Sequence, residues 1–134
     1  MKDSATPLGR NPQPQVYRMQ ELVPWDREKL AGGEGILYGK YSFTRNDPTP
    51  GMAIKEIGWM TLQPGDSIGM HKHTNNEDVY VIISGEGLFT DSDGNEIPVF
   101  EGDITIARPG DSHALKNIGS APLIFLNFIG QLDG

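Results

Sequence analysis

Between residues 53 and 130 the chain is interrupted about every ten residues by a turn signal built from Gly, Pro, Asp, Asn or Ser. That interval leaves room for strands but not for packed helices, and it is the spacing expected of a β-sandwich or barrel. The intervening segments, "AIKEIGWMTLQ", "IGMHKH", "VYVIIS", "LFTD", "EIPVF", "ITIA", "SHALKN" and "LIFLNFIG", carry no helical period. "SDGN" reads as a hairpin turn centred on Asp93-Gly94. Upstream, "ILYGKYSFT" reads as a further strand, and Val16 to Leu30 as a short strand followed by a helical turn, around Pro24. Residues 1–15 hold three prolines and little apolar content, so they read as a flexible arm. Residues 16–134 are expected to form one all-β, antiparallel domain. The abundance of glycine and proline, 17 and 10 of 134 residues, weighs the same way, because both oppose long helices.

Charge and composition narrow the partners. A net charge of −7 sets the chain against phosphate backbones, so nucleic acid is not an expected partner. No segment approaches the roughly 18 apolar residues of a membrane helix, and the first residues lack the apolar block of a secretory signal. With no cysteine there is neither a disulfide framework nor a thiolate metal site, and the cytoplasm is the expected location.

The chemistry concentrates in "HKHTNNEDVYVIISG", residues 71–85. His71 and His73 stand two apart in an expected strand, where residues i and i+2 share a face, so two imidazoles point the same way and can share one ion. The alternative is a pair of exposed polar residues on a strand edge. The third and last histidine, His113, follows the turn "RPGD".

Taken together these segments resemble the two motifs of the cupins. In the first, a glycine is followed by five residues, His-x-His, three or four residues, an acid, six residues and a glycine; here it runs from Gly65 through His71 and His73 to Gly85. The second matches Gly102 to Asn117 through Pro109, Gly110 and His113, with Arg108 standing where the family has proline. The resemblance implies a cupin jelly-roll β-barrel, a double-stranded β-helix. It also implies one divalent transition metal (Mn, Fe, Zn or Ni) held by His71, His73, His113 and an acid. Counting back from Gly85 past six residues lands on Asp78; counting forward from His73 past three residues lands on Glu77, which then has Ser84 at the glycine position. Strands absorb extra residues less readily than turns, which favours Asp78 and leaves Glu77 as the alternative. Asp78 is one methylene shorter than the family's usual glutamate.

If Asp78 faces inward, Tyr80 and Ile82 do too, and Tyr80 is expected in the pocket as a hydrogen-bonding group or a packed aromatic. Val79, Val81 and Ile83 then face outward and call for a cover: a second copy of the chain, making a homodimer, or residues 16–45 of the same chain. The family's range of reactions includes decarboxylases, isomerases, lyases and dioxygenases. The expectation is therefore a metal-dependent cupin acting on a small polar molecule such as a carboxylic or sugar acid, the alternative being a barrel that binds or senses a small ligand without turnover. Cupins that decarboxylate oxalate carry an arginine three residues before the first histidine; Ile68 occupies that position here.

Overall fold

The computed structural model describes residues 14–46 and 51–132, so most of the expected arm lies outside the described residues. Eleven strands run β1 (Val23–Pro24), β2 (Arg27–Glu28), β3 (Ile36–Phe43), β4 (Ile54–Leu62), β5 (Ser67–Lys72), β6 (Glu77–Ser84), β7 (Gly87–Thr90), β8 (Glu96–Val99), β9 (Ile104–Ala107), β10 (Ser112–Asn117) and β11 (Leu123–Gly130). All the pairings between them are antiparallel. They form a seven-stranded sheet in the order β1-β3-β4-β11-β6-β9, with β2 also on β3, and a four-stranded sheet in the order β5-β10-β7-β8. The jelly roll is thus a sandwich of two facing sheets, not a ring closed by hydrogen bonds.

Alternation along each strand fills the space between the sheets. β11 buries Leu123, Phe125, Asn127 and Ile129 and leaves the residues between them half-buried on its outer side. β6 likewise buries Asp78, Tyr80 and Ile82, with Val79, Val81 and Ile83 on its outer side. Tyr41, Met60, Leu62, Ile82, Leu115, Leu123 and Phe125 are the largest fully enclosed apolar side chains of the core.

Residues 16–30 depart from expectation. In place of a strand and a helical turn they form a 3-10 turn at Met19–Glu21 and two strands of two residues each, and a second 3-10 turn follows at Leu30–Gly32. Both strands exist by pairing with β3, Val23 opposite Tyr41 and Arg27 opposite Leu37. Pro24, which has no N–H to give a helix, sits in the first of them. This segment flanks the outer face of the large sheet: Met19, Pro24 and Tyr38 line a groove there together with Trp59, Ile83 and Ile124.

Candidate metal centre

His71 is one member of a cross-strand pair. β5 and β10 are antiparallel, and their register sets His113 directly opposite His71. His73 follows β5, and its placement depends on the turn before β10. The Gly110 N–H donates to the His73 carbonyl at 2.6 Å, and the His73 N–H donates to the Asp111 carbonyl at 2.9 Å. Gly110 has φ +96°, a backbone conformation glycine adopts without strain. The Asp111 carboxylate accepts from the Arg108 N–H at 3.0 Å, so the turn closes although arginine replaces proline there. The fourth group comes from the opposite sheet: Asp78, at the start of β6, is 4% exposed and faces the histidines.

One ligand atom from each of His71, His73, Asp78 and His113 lies within 4.8 Å of all the others. The Nε2 atoms of His71 and His73 are each 3.1 Å from that of His113. Asp78 Oδ2 lies 3.1 Å from His73 Nε2 and 3.2 Å from His113 Nε2. Two of the three outer ring nitrogens are occupied elsewhere: His71 Nδ1 donates to the Gly69 carbonyl at 2.8 Å and His73 Nδ1 to Asn76 Oδ1 at 2.7 Å, while the buried His113 Nδ1 has no partner among the described residues. Protonation at Nδ1 leaves the Nε2 lone pairs of these two rings aimed at the common point. Nitrogen and oxygen lone pairs converging at this spacing repel one another unless a cation lies between them. Bonds of about 2.0–2.2 Å, as for zinc, separate neighbouring donors by about 3 Å, so the donor set fits a transition-metal ion. The four groups could hold a metal.

Electrostatics in the cluster follow from burial and these contacts. Where protons and not an ion fill the cluster, burial pushes the Asp78 carboxyl up, but hydrogen bonds from Nε2 of His113 and His73 outweigh it and hold the group at about 2. Burial lowers the pKa of His71, an effect the Gly69 carbonyl opposes. The hydrogen bond to Asp78 raises that of His73. Tyr80 is inside, its ring stacked on His113 at a centroid distance of 5.0 Å. Burial, reinforced by the Asp78 charge, keeps its hydroxyl protonated. Glu77 is exposed, one pleat away on the other side of β6. Ile68 is buried and lines the same cavity as the cluster.

Several residues that the sequence reading did not single out shape the site. Asn127 on β11 donates to Asp78 Oδ1 and to the Val79 carbonyl. Asn76 holds His73, as above. Glu56, Arg45 and Arg27 line the cavity, with buried Glu56 3.4 Å from Arg45 Nε. One signal was present: Asn127 interrupts the apolar strand "LIFLNFIG" at a position that alternation turns inward. Asn117, which closes the second motif, stands apart from the cluster. Its side chain donates to the carbonyls of Leu62 and Ala121 and accepts from Gly119 N–H, so it ties the β10–β11 turn to β4.

A family model described as "Cupin domain" matches residues 58–129. The chain belongs to the cupin family. This cupin is 32% identical over 114 residues to a Thermotoga maritima protein named oxalate-binding protein, an alignment covering 85% of this chain and 92% of that one. It is 28% identical over 124 residues to the oxalate decarboxylase of Bacillus subtilis, covering 90% of this chain but only 30% of the longer enzyme. Among solved structures, one from Thermotoga maritima, described as a predicted oxalate decarboxylase, superposes on this cupin with a TM-score of 0.77 at 31% identity, covering 88% of this chain and 100% of that one. No helix among the described residues is long and apolar enough to cross a membrane.

Proposed function

We propose that this cupin is a metal-dependent protein that acts on a small organic carboxylate, with His71, His73, Asp78 and His113 as the ligands of one divalent transition metal. The observation that carries the reading is the convergence of three imidazole nitrogens and one carboxylate oxygen on a single point, beside a cavity that His71, His73 and Asp78 line. Relatives named for oxalate support the carboxylate class. A bound metal would supply a Lewis acid that polarises a ligand oxygen. The chain's own residues do the rest. Ile68, Leu37, Met60 and Phe125 form apolar walls that exclude water and strengthen every polar contact inside. The Tyr80 hydroxyl, kept protonated by its surroundings, is a hydrogen-bond donor beside Asp78. Asp78, its second oxygen held by Asn127, presents a fixed anionic oxygen to the centre.

A second reading is binding without turnover. Ile68 favours it, since an apolar side chain stands where decarboxylating cupins carry arginine. Assembly as a homodimer through the outer face of the large sheet, and a cytoplasmic location, belong to the same proposal. The decisive experiment is elemental analysis of purified protein. Wild type should carry one divalent transition metal per chain, and the His71→Ala/His73→Ala double variant none, because half the ligand set is gone. A full metal load in the double variant would place the metal elsewhere and end the proposal. Incubating loaded protein with oxalate and other small carboxylic and sugar acids, with product detection, separates turnover from binding.

A further inference from the structure

The cavity beside the histidine cluster has a second charged wall. Its volume is about 300 Å³, enough for a small organic molecule. Two acids line it, Asp78 and Glu56, and both have partners: Asp78 is bound to His73, His113 and Asn127, and Glu56 to Arg45. Three cations line it besides the histidines. Arg45 is paired with Glu56, and Lys72 is exposed at the rim. Arg27 remains. Among the described residues no carboxylate lies within ion-pair distance of its guanidinium. Its hydrogen-bond partner is the neutral hydroxyl of Tyr41, and its buried Nε has none.

The guanidinium is nonetheless held in place. Its carbon sits 4.1 Å above the Trp25 ring and 5.8 Å from the Tyr41 ring. Cation–π contact and one neutral hydrogen bond fix the orientation of an arginine without neutralising it. The short strand β2 pins the residue to β3, with Arg27 opposite Leu37. A partly buried cation with unused donors is a poor neighbour for apolar walls unless an anion completes it. The planar fork of arginine matches a carboxylate, which takes two parallel hydrogen bonds.

We propose that Arg27 is the specificity-determining residue of this pocket, receiving the carboxylate of a small dicarboxylate or keto acid whose other end lies at the histidine cluster. The assignment rests on the carboxylate reading above and deepens it: the cation absent at position 68 is supplied from the N-terminal segment, outside the residues that the family model matches. A molecule gripped at both ends is favoured over a simple monoacid such as acetate, which offers no second oxygen group to the histidine cluster.

The test uses the full chain loaded with Mn²⁺, its metal content measured before each titration. Oxalate, malonate and acetate are titrated calorimetrically, with oxamide as the uncharged analogue of oxalate. Wild type should bind oxalate or malonate more tightly than acetate or oxamide. Arg27→Met keeps an apolar stem and loses the charge. It should weaken dicarboxylate binding about 30-fold or more, as expected for removal of one partner of a desolvated charged pair, with metal content unchanged. Arg27→Lys should fall between, and Arg18→Gln, on the exposed part of the same segment, should match wild type. Should Arg27→Met not fold, phenylglyoxal modification of wild type mapped by mass spectrometry decides the point: saturating dicarboxylate should protect Arg27 and leave Arg18 unprotected. Undiminished dicarboxylate binding by folded, metal-loaded Arg27→Met, or unprotected Arg27, would overturn the role of Arg27 and leave the carboxylate reading standing. Metal-loaded wild type that binds no carboxylate would overturn both.

Discussion

Asp78 presents one carboxylate oxygen to the histidines because the other is taken by Asn127. An anchored carboxylate would not rotate away from a bound ion, and residues that anchor ligands in this way are worth about 10–100-fold in metal affinity. Asn127→Leu, close in volume but without a donor, should therefore lower metal affinity by about that factor, measured by competition with a chelator of known affinity. Asp78→Ala should lower it further, while Glu77→Ala, at an exposed position, should leave it nearly unchanged. The reverse order for the two acids would remove Asp78 from the ligand set. The local part of this site was readable in the chain. The i, i+2 spacing sets His71 and His73 on one face, and the count back from Gly85 lands on the acid that is within reach of them. Asn127 was not readable as a partner, because it lies 49 residues from Asp78 and meets it only through the pairing of β11 with β6.

At the scale of elements, the strand that carries His71 is fixed by a close approach of backbone. Gly69 on β5 lies against the 3-10 turn at Leu30–Gly32, and an ideal Cβ there would fall 2.0 Å from the Ala31 carbonyl oxygen. No relaxation of a flexible side chain relieves that contact, since both parties are backbone. Gly69→Ala should destabilise the fold by about 1–3 kcal/mol or more, seen as a lower midpoint in thermal denaturation. Gly119→Ala, where the nearest atom is 3.4 Å away, should change the midpoint little. The same turn and the strand before it, β2, bring Leu30, Ala31 and Arg27 to the cavity. Those short elements were not legible, because two residues have no period to read; their conformation comes from β3. The longer strands were legible, since turn residues and alternation mark each of them independently of its neighbours.

At the scale of the whole molecule, the outer face of the large sheet calls for a cover. Register lines up Trp59, Leu126, Val81 and Ile104 in one row across β4, β11, β6 and β9, and Ile57, Phe128, Val79 and Ile106 in the next. Burying a valine or isoleucine contributes about 1.5–3 kcal/mol, so two such faces brought together could hold a stable dimer. Wild type should elute and scatter light at twice the mass of one chain, and Val81→Asp should be monomeric or insoluble, because it would bury a charge without partner. A wild-type monomer would overturn the dimer and turn attention to residues 16–45 as the cover. By itself the sequence determined the all-β class, the strand positions from residue 53 onward, the inward and outward faces of β6, and the nearness of His71 to His73. Each of these follows from a period or a spacing within a few residues of chain. Only the tertiary structure decided that His113 stands opposite His71, that Asn127 holds Asp78 and that Arg27 reaches the cavity. Those contacts join residues about 40 or more apart, or in different strands, and nothing in local chain geometry sets the sheet pairing that brings them together.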